Sequence, residues 1–178
     1  MSGFGFLVYR FCFAANSGRV WSLMKLRFVW VGKTKHAALR ELVEQYLERV
    51  GRFAGVELTE VKDRTDVGSD PRKIIEKEAE AILEVVAGDP CLVALDERGR
   101  EFDSIRFAEF VEQHRVRGTR RMTFVVGGHL GFADAVRKRA DLVMALSKMT
   151  LTHELARVLL LEQIYRAFTV IYDLPYQK

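Results

Sequence analysis

The stretch "MTFVVGGHLGF" (122–132) decides the fold class. Its first five residues form a short apolar run of the kind buried on both faces of a parallel sheet. Two more such runs follow the same pattern, "CLVAL" (91–95) and "LVMAL" (142–146). Between them lie helical segments, "IRFAEFVEQHRV" (105–116), which Ser104 can cap, and the short "FADAVRKRA" (132–140). Strand and helix therefore alternate, which implies an α/β domain with a mostly parallel sheet and helices on both faces.

The rest of the chain extends that alternation. "LRFVWV" (26–31) reads as a strand, and residues 36–53 place Leu39, Leu42, Val43, Tyr46, Leu47 and Val50 at helical spacing. "VELTEV" (56–61) alternates like a half-exposed strand, and "DRTDVGSD" (63–70) is a polar loop. Asp70-Pro71 starts a helix running to about residue 87, with proline in the first turn. "DERGREFDS" (96–104) reads as a loop, and "SKMTLT" (147–152) leads into a long helix over 153–171. That last helix is apolar around more than half its circumference, so it is deeply buried or shared with a partner subunit. No repeat, low-complexity tract or linker divides the chain, and one domain is expected.

The glycines after Val126 invite comparison with a dinucleotide loop. The Gly-x-Gly-x-x-Gly fingerprint would need glycine at Val126, at the first strand of its unit, and an acid about 20 residues on. Here the glycines follow the fourth strand. A tight turn exploiting positive φ and a ligand loop are equally good readings of this segment alone. "VGKTK" (31–35) likewise fails as a P-loop, because the earlier glycine it requires falls on Arg27 inside the strand.

Three strand ends taken together say more. "LDERG" (95–99), "VGGHLGF" (126–132) and "LSKMTLTHE" (146–154) each follow a buried strand, and ligands of open α/β sheets lie beyond those carboxyl ends. The loops offer many backbone amides and few charges. Such a lining suits a neutral planar group held between backbone donors and apolar walls, rather than a polyphosphate. His153 opens the last helix, and Arg157 lies four residues later on the same face.

The chain is ordinary globular material, with 49% hydrophobic and 29% charged residues and a net charge of +4. That mild excess permits a nucleic-acid partner without establishing one. Basic residues gather in "QHRVRGTRR" (113–121) and "VRKRAD" (136–141), where Arg120 and Arg121 are candidates for RNA phosphates near the cleft. Cys12 and Cys91 supply neither a disulfide framework nor a zinc spacing, so a reducing cytoplasm fits best and no metal site is expected. No stretch reaches the ~18 apolar residues of a membrane span. Residues 1–23 are aromatic-rich and aperiodic and lack the features of a signal peptide. They are expected to stand outside the fold, with Met24 as the biological start and residues 24–178 as the domain.

"LDERG", "FVVGGHLGF", "LSKMTLTHELARVLLLEQIYRAF" (146–168) and "LPYQK" (174–178), with the opening "MKLRFVWVGKTK" (24–35), resemble the bacterial ribosomal RNA large subunit methyltransferase H family. These are small SPOUT, or trefoil-knotted, methyltransferases. The resemblance spans Met24 to Lys178 and leaves residues 1–23 without a counterpart. It implies a C-terminal trefoil knot, and a homodimer using S-adenosylmethionine to methylate N3 of a pseudouridine in 23S rRNA of the assembled ribosome. By position, the cofactor pocket would use Leu95, Gly128 and the stretch Ser147, Lys148, Met149, Thr150, Leu151 and Thr152, shaped by Gly127 and Gly131. His153 is then the candidate for proton handling and Arg157 for the anionic base or a phosphate. Arg166 joins Arg120 and Arg121 as a candidate RNA contact, and Tyr176 is placed to stack on a splayed base.

The sequence departs from that family at a few positions. Thr152 and Glu154 stand where some members have proline, and Thr152 can cap the helix. Gln177 occupies the place of a common histidine. A related knotted methyltransferase acting on tRNA, and a non-catalytic RNA-binding protein on this scaffold, are the alternative readings.

Overall fold

The computed structural model describes residues 7–11, 24–64 and 70–176. Along the chain lie β1 (Leu7–Phe11), β2 (Lys25–Val31), α1 (Ala37–Gly51), β3 (Gly55–Val61), α2 (Pro71–Val85), β4 (Leu92–Glu101), α3 (Ser104–Val116), β5 (Arg121–Val126), α4 (Asp134–Arg139), β6 (Leu142–Ala145) and α5 (His153–Ile171). They form one sheet in the order β1-β3-β2-β5-β4-β6. The five strands β2 to β6 are joined in parallel, and β1 runs antiparallel along the outside of β3.

Side chains of a strand alternate between faces, and both faces of this sheet are covered. In β2, Leu26, Phe28 and Trp30 enter a core shared with α1, α3 and α5, while Val29 and Val31 enter a second core under α2 and α4. β5 divides the same way, with Met122, Phe124 and Val126 on the first side and Val125 on the second. This double burial is why the central strands read as unbroken apolar runs. α5 packs against both α1 and α3, and its Leu160, Leu161, Ile164, Ala167 and Phe168 are fully buried. Cys91 is buried in the first core, and burial pushes its thiol up to about 11, leaving it inert at neutral pH.

Three local expectations change. Ser104 does not cap α3: Asp103 takes that place and accepts the Arg106 amide at 2.7 Å. The Ser104 hydroxyl instead donates to Gln163 Oε1 on α5 at 2.8 Å. Secondly, Leu7–Phe11 lies along β3 in register from Leu7 opposite Glu60 to Phe11 opposite Val56, within the stretch expected to stand apart. Residues 1–6 and 12–23, Cys12 among them, lie outside the described residues.

The third change bears on the site. "DERGRE" (96–101) is no simple loop, because β4 continues through it to Glu101. Leu95 and Arg100 both pair with Met144 of β6, so residues 96–99 bow out of the ladder and return to the same partner. At the return, Gly99 crosses the β6 backbone. A Cβ there would lie 2.6 Å from the Val143 carbonyl oxygen and 2.7 Å from the Met144 nitrogen, so only glycine fits. Gly99→Ala should lower stability by about 3 kcal/mol, since backbone must give way rather than a side chain. A drop in the urea midpoint with unchanged slope is the expected reading.

Candidate functional site

A cavity of about 630 Å³ opens where β4, β5 and β6 end, a volume suited to a single organic ligand. Leu95, Met144, Leu146, Leu151 and Ala156 supply apolar walls, and Ser147, Thr150 and Thr152 supply hydroxyls. The β5 loop forms one side through Gly127, Gly128 and Gly131. Its turn closes with the Gly131 amide donating to the Gly128 carbonyl at 3.1 Å, and Gly131 holds φ at +78°, a backbone state that suits glycine. Met149 stands at the rim and is 77% exposed. The structure thus brings the three strand-end loops of the sequence reading to one place.

Lys148 is the exception in its stretch. Its ammonium turns away from the cavity and donates to the carbonyls of Gly99 at 3.0 Å and Glu97 at 3.4 Å. Beside it, the Thr150 hydroxyl donates to Glu97 Oε2 at 2.6 Å. The β6–α5 loop is therefore clasped onto the bowed segment of β4.

The lining is also more charged than the loops suggest. Asp96, Glu97, Arg98, His129 and Arg137 all border the cavity, and none was singled out from the sequence. Asp96 Oδ2 accepts from Arg137 Nε at 2.8 Å, and its Oδ1 accepts from the Arg98 amide at 3.0 Å. Burial opposes the Asp96 charge, but those bonds outweigh it and hold the carboxyl below the usual carboxylate range. Arg137 also reaches Asp134 at 2.8 Å, so its guanidinium is neutralised within α4 and β4. An acid at a strand end and an arginine on the following helix were visible as separate residues, but their pairing across 41 positions was not.

His153 and Arg157 share one face of α5 yet occupy different surroundings. His153 borders the cavity at the helix N-terminus, which Thr152 caps by accepting the Leu155 amide at 3.4 Å. Burial chiefly, with repulsion from Arg157, holds the imidazole below its ordinary pKa, so it is neutral at pH 7. Arg157 does not border the cavity and is 0% exposed. Its Nη2 donates to the Val31 carbonyl at 2.6 Å and its Nη1 to Thr34 Oγ1 at 2.9 Å. The guanidinium also lies 5.4 Å from the centre of the Trp30 ring. Burial brings its pKa down to about 10, which still leaves it charged at neutral pH.

The candidate RNA contacts stand away from the cavity. Arg120 and Arg121 lie at the opposite end of β5, five residues and roughly 17 Å from Val126 at strand rise. Arg121 is held there by buried Asp89 at 2.9 Å, so the arginine run flanks the strand at its wrong end. Arg166 lies roughly 20 Å along α5 from His153. It pairs with Glu162 and sits 4.8 Å from the Tyr176 ring, which itself meets Tyr165 edge-on at 4.7 Å. Gln177 and Lys178 lie outside the described residues. Among the described residues no group of three or more His, Cys, Asp or Glu is arranged to hold a metal ion, and no helix is long and apolar enough to cross a membrane.

Residues 24–177 match the family model described as predicted SPOUT methyltransferase. The ribosomal RNA large subunit methyltransferase H of Trichlorobacter lovleyi is 44% identical over 153 residues, covering 86% of this chain and 99% of that protein. The protein of the same name from Geobacter sulfurreducens is 42% identical with the same coverage. Among solved structures, a probable methylase family protein from Haemophilus influenzae Rd KW20 superposes with a TM-score of 0.54 at 15% identity, over 88% of this chain and 71% of that one. A probable methyltransferase from Bordetella pertussis Tohama I gives 0.54 at 15% identity, over 82% and 95%, a likeness of fold. With strand-end loops converging on one cavity and this identity along almost the full length of its relatives, the chain belongs to the ribosomal RNA large subunit methyltransferase H family of SPOUT methyltransferases.

Proposed function

We propose that this chain methylates N3 of a pseudouridine in 23S rRNA of the assembled ribosome, with S-adenosylmethionine as methyl donor. The observation that carries the reading is the cavity itself. In a chain of this family, backbone-rich loops and apolar walls meet the N-terminus of α5 and a neutral histidine. The residues fit the donor: Leu95, Leu146 and Leu151 suit its planar base, and Gly127, Gly128 and Gly131 let the backbone of their turn come close to it. When bound, S-adenosylmethionine supplies an activated methyl group. The chain has to deliver a nucleophilic nitrogen in line with it.

N3 of pseudouridine carries a proton that must leave before or during attack. Neutral His153 is suited to accept it. The positive end of the α5 dipole favours the anionic ring that remains. Burial chiefly keeps the imidazole deprotonated, and the positive charge of buried Arg157 beneath it adds to that effect, which makes Arg157 a positioning residue.

Threading of the C-terminal segment belongs to this proposal. Its support is the bow of residues 96–99, which leaves and rejoins Met144 and crosses β6 at Gly99. So does a homodimer: Leu155 and Leu159 stand exposed on α5, one turn apart, with Leu42 exposed on neighbouring α1. A dimer would also explain how Arg166 and Tyr176, remote from the cavity of their own chain, serve the substrate. A cytoplasmic ribosome as substrate is consistent with the reduced, buried Cys91.

The test combines two measurements on the dimeric or monomeric species fixed by sedimentation. Calorimetry should show S-adenosylmethionine binding at micromolar to millimolar concentration, and mass mapping of 23S rRNA from a deletion strain should show one pseudouridine lacking its methyl. An unchanged map overturns the substrate. Folded protein that binds no cofactor would favour a non-catalytic RNA-binding role.

A further inference from the structure

The "VGKTK" loop (31–35) fails as a phosphate cradle and lines no part of the cavity, yet it is anchored beside it. The Glu154 carboxylate accepts the Lys35 amide and the His36 amide, each at 3.0 Å. Glu154 follows His153 in the first turn of α5. Burial opposes its charge, but the two amide bonds outweigh that, and the carboxyl lies below its ordinary pKa. His36 is the N-cap of α1 and makes no side-chain capping bond, so a side chain from α5 fixes the entry to α1.

The anchoring determines where two cations stand. β2 pairs with β5, Trp30 opposite Val126, so the loops after these strands rise from the same edge of the sheet. Lys33 and Lys35 are exposed on the first of them. Among the described residues no hydrogen bond or ion pair engages the Lys35 ammonium, and Lys33 meets the charge of Glu60. Most other cations around the cavity are committed: Arg137 to Asp96, Lys148 to two carbonyls and Arg157 to the interior, while Arg98 touches Asp96 at 3.2 Å and stays exposed.

We propose that Lys33 and Lys35 form the contact with the RNA backbone that brings the target base to the cavity, and that Glu154 is a positioning residue for their loop. The proposal rests on the reading of the chain as an rRNA methyltransferase. Lysines meeting phosphates set affinity and orientation and read no sequence, in keeping with a substrate presented by the ribosome. A loop already fixed by Glu154 gives up less freedom on binding than a loose one.

The test measures ribosome binding by co-sedimentation across salt concentrations, and methyl transfer separately. A Lys33→Gln, Lys35→Gln double variant should bind about tenfold more weakly near 100 mM salt, with the slope of log affinity against log salt reduced by roughly 1.5. Its affinity for S-adenosylmethionine should be unchanged, since neither lysine borders the cavity. Glu154→Ala separates positioning from charge. Loss of a carboxylate would tighten RNA binding if charge alone mattered, whereas release of the loop weakens it, and weakening is the expected result. Wild-type binding and salt slope in the double variant would overturn the lysine contact, and tighter binding by Glu154→Ala would overturn the positioning role. A wild-type chain that sediments with ribosomes but leaves them unmethylated overturns the methyl-transfer reading instead, and the lysine comparison still decides the surface.

Discussion

Replacing Arg157 by methionine is expected to cost about 3–5 kcal/mol of folding stability, far more than an active-site contact would. The guanidinium ties the middle of the first two turns of α5 to the end of β2, through the Val31 carbonyl and the Thr34 hydroxyl. Methionine fills part of the volume but returns neither donor, and it abandons the Trp30 ring face. Lysine keeps the charge but has its donors on a single nitrogen, which cannot span the Thr34 hydroxyl and the Val31 carbonyl as Nη1 and Nη2 do, so Arg157→Lys should recover only part of the loss. Urea unfolding reads the effect, and an unfolding free energy within about 0.5 kcal/mol of wild type would refute a structural role.

A second readout separates support from contact. Burial comes first among the influences that depress the His153 pKa, and repulsion from Arg157 comes next. At temperatures where the variant is still folded, removing that charge should move the acid limb of the pH–rate profile upward. A residue that touched only substrate would lower the rate without moving the limb.

Arg157 also illustrates how far the chain could be read before folding. Spacing of four places it on the face of His153, and that inference holds along the helix. What spacing leaves out is depth: the same stripe passes from cavity wall to core within one turn, because β2 lies beneath the second position. The parallel sheet was legible because burial on both faces leaves apolar runs, and the three-loop cleft followed from where those runs end. The bow in β4 was not, since "DERGRE" is polar throughout and pairs with β6 through backbone rather than side chains. Nor was the fate of the basic run at 113–121. A strand is about 17 Å long, so residues adjacent in sequence to the glycines' strand can lie at its far end, and Arg121 does. The arginines that do border the cavity, Arg98 and Arg137, come from β4 and α4, and Arg137 is tied to Asp96 across 41 positions.

His153→Ala is expected to lower kcat by about 10²–10⁴ while cofactor affinity and thermal midpoint stay near wild type. The imidazole is half-buried at the cavity wall, and among the described residues no hydrogen bond ties it to the fold, so its loss should register in chemistry rather than in stability. Because the folded pKa lies below the ordinary value, the native state resists protonation that the unfolded chain accepts. Stability from this group is thus complete above about 6.5, the unfolded value, and declines as pH falls through it toward the lower native pKa. The wild-type rate should hold to a lower pH than an exposed histidine would permit, then fall as the imidazole gains its proton. The alanine variant should lack that limb. It should also regain rate as pH rises, because the ring then loses its N3 proton to solvent without help from the chain. A variant with full rate and the wild-type limb would place proton transfer elsewhere. His129 would then be the first group to examine, since it also borders the cavity and its charge acts on His153.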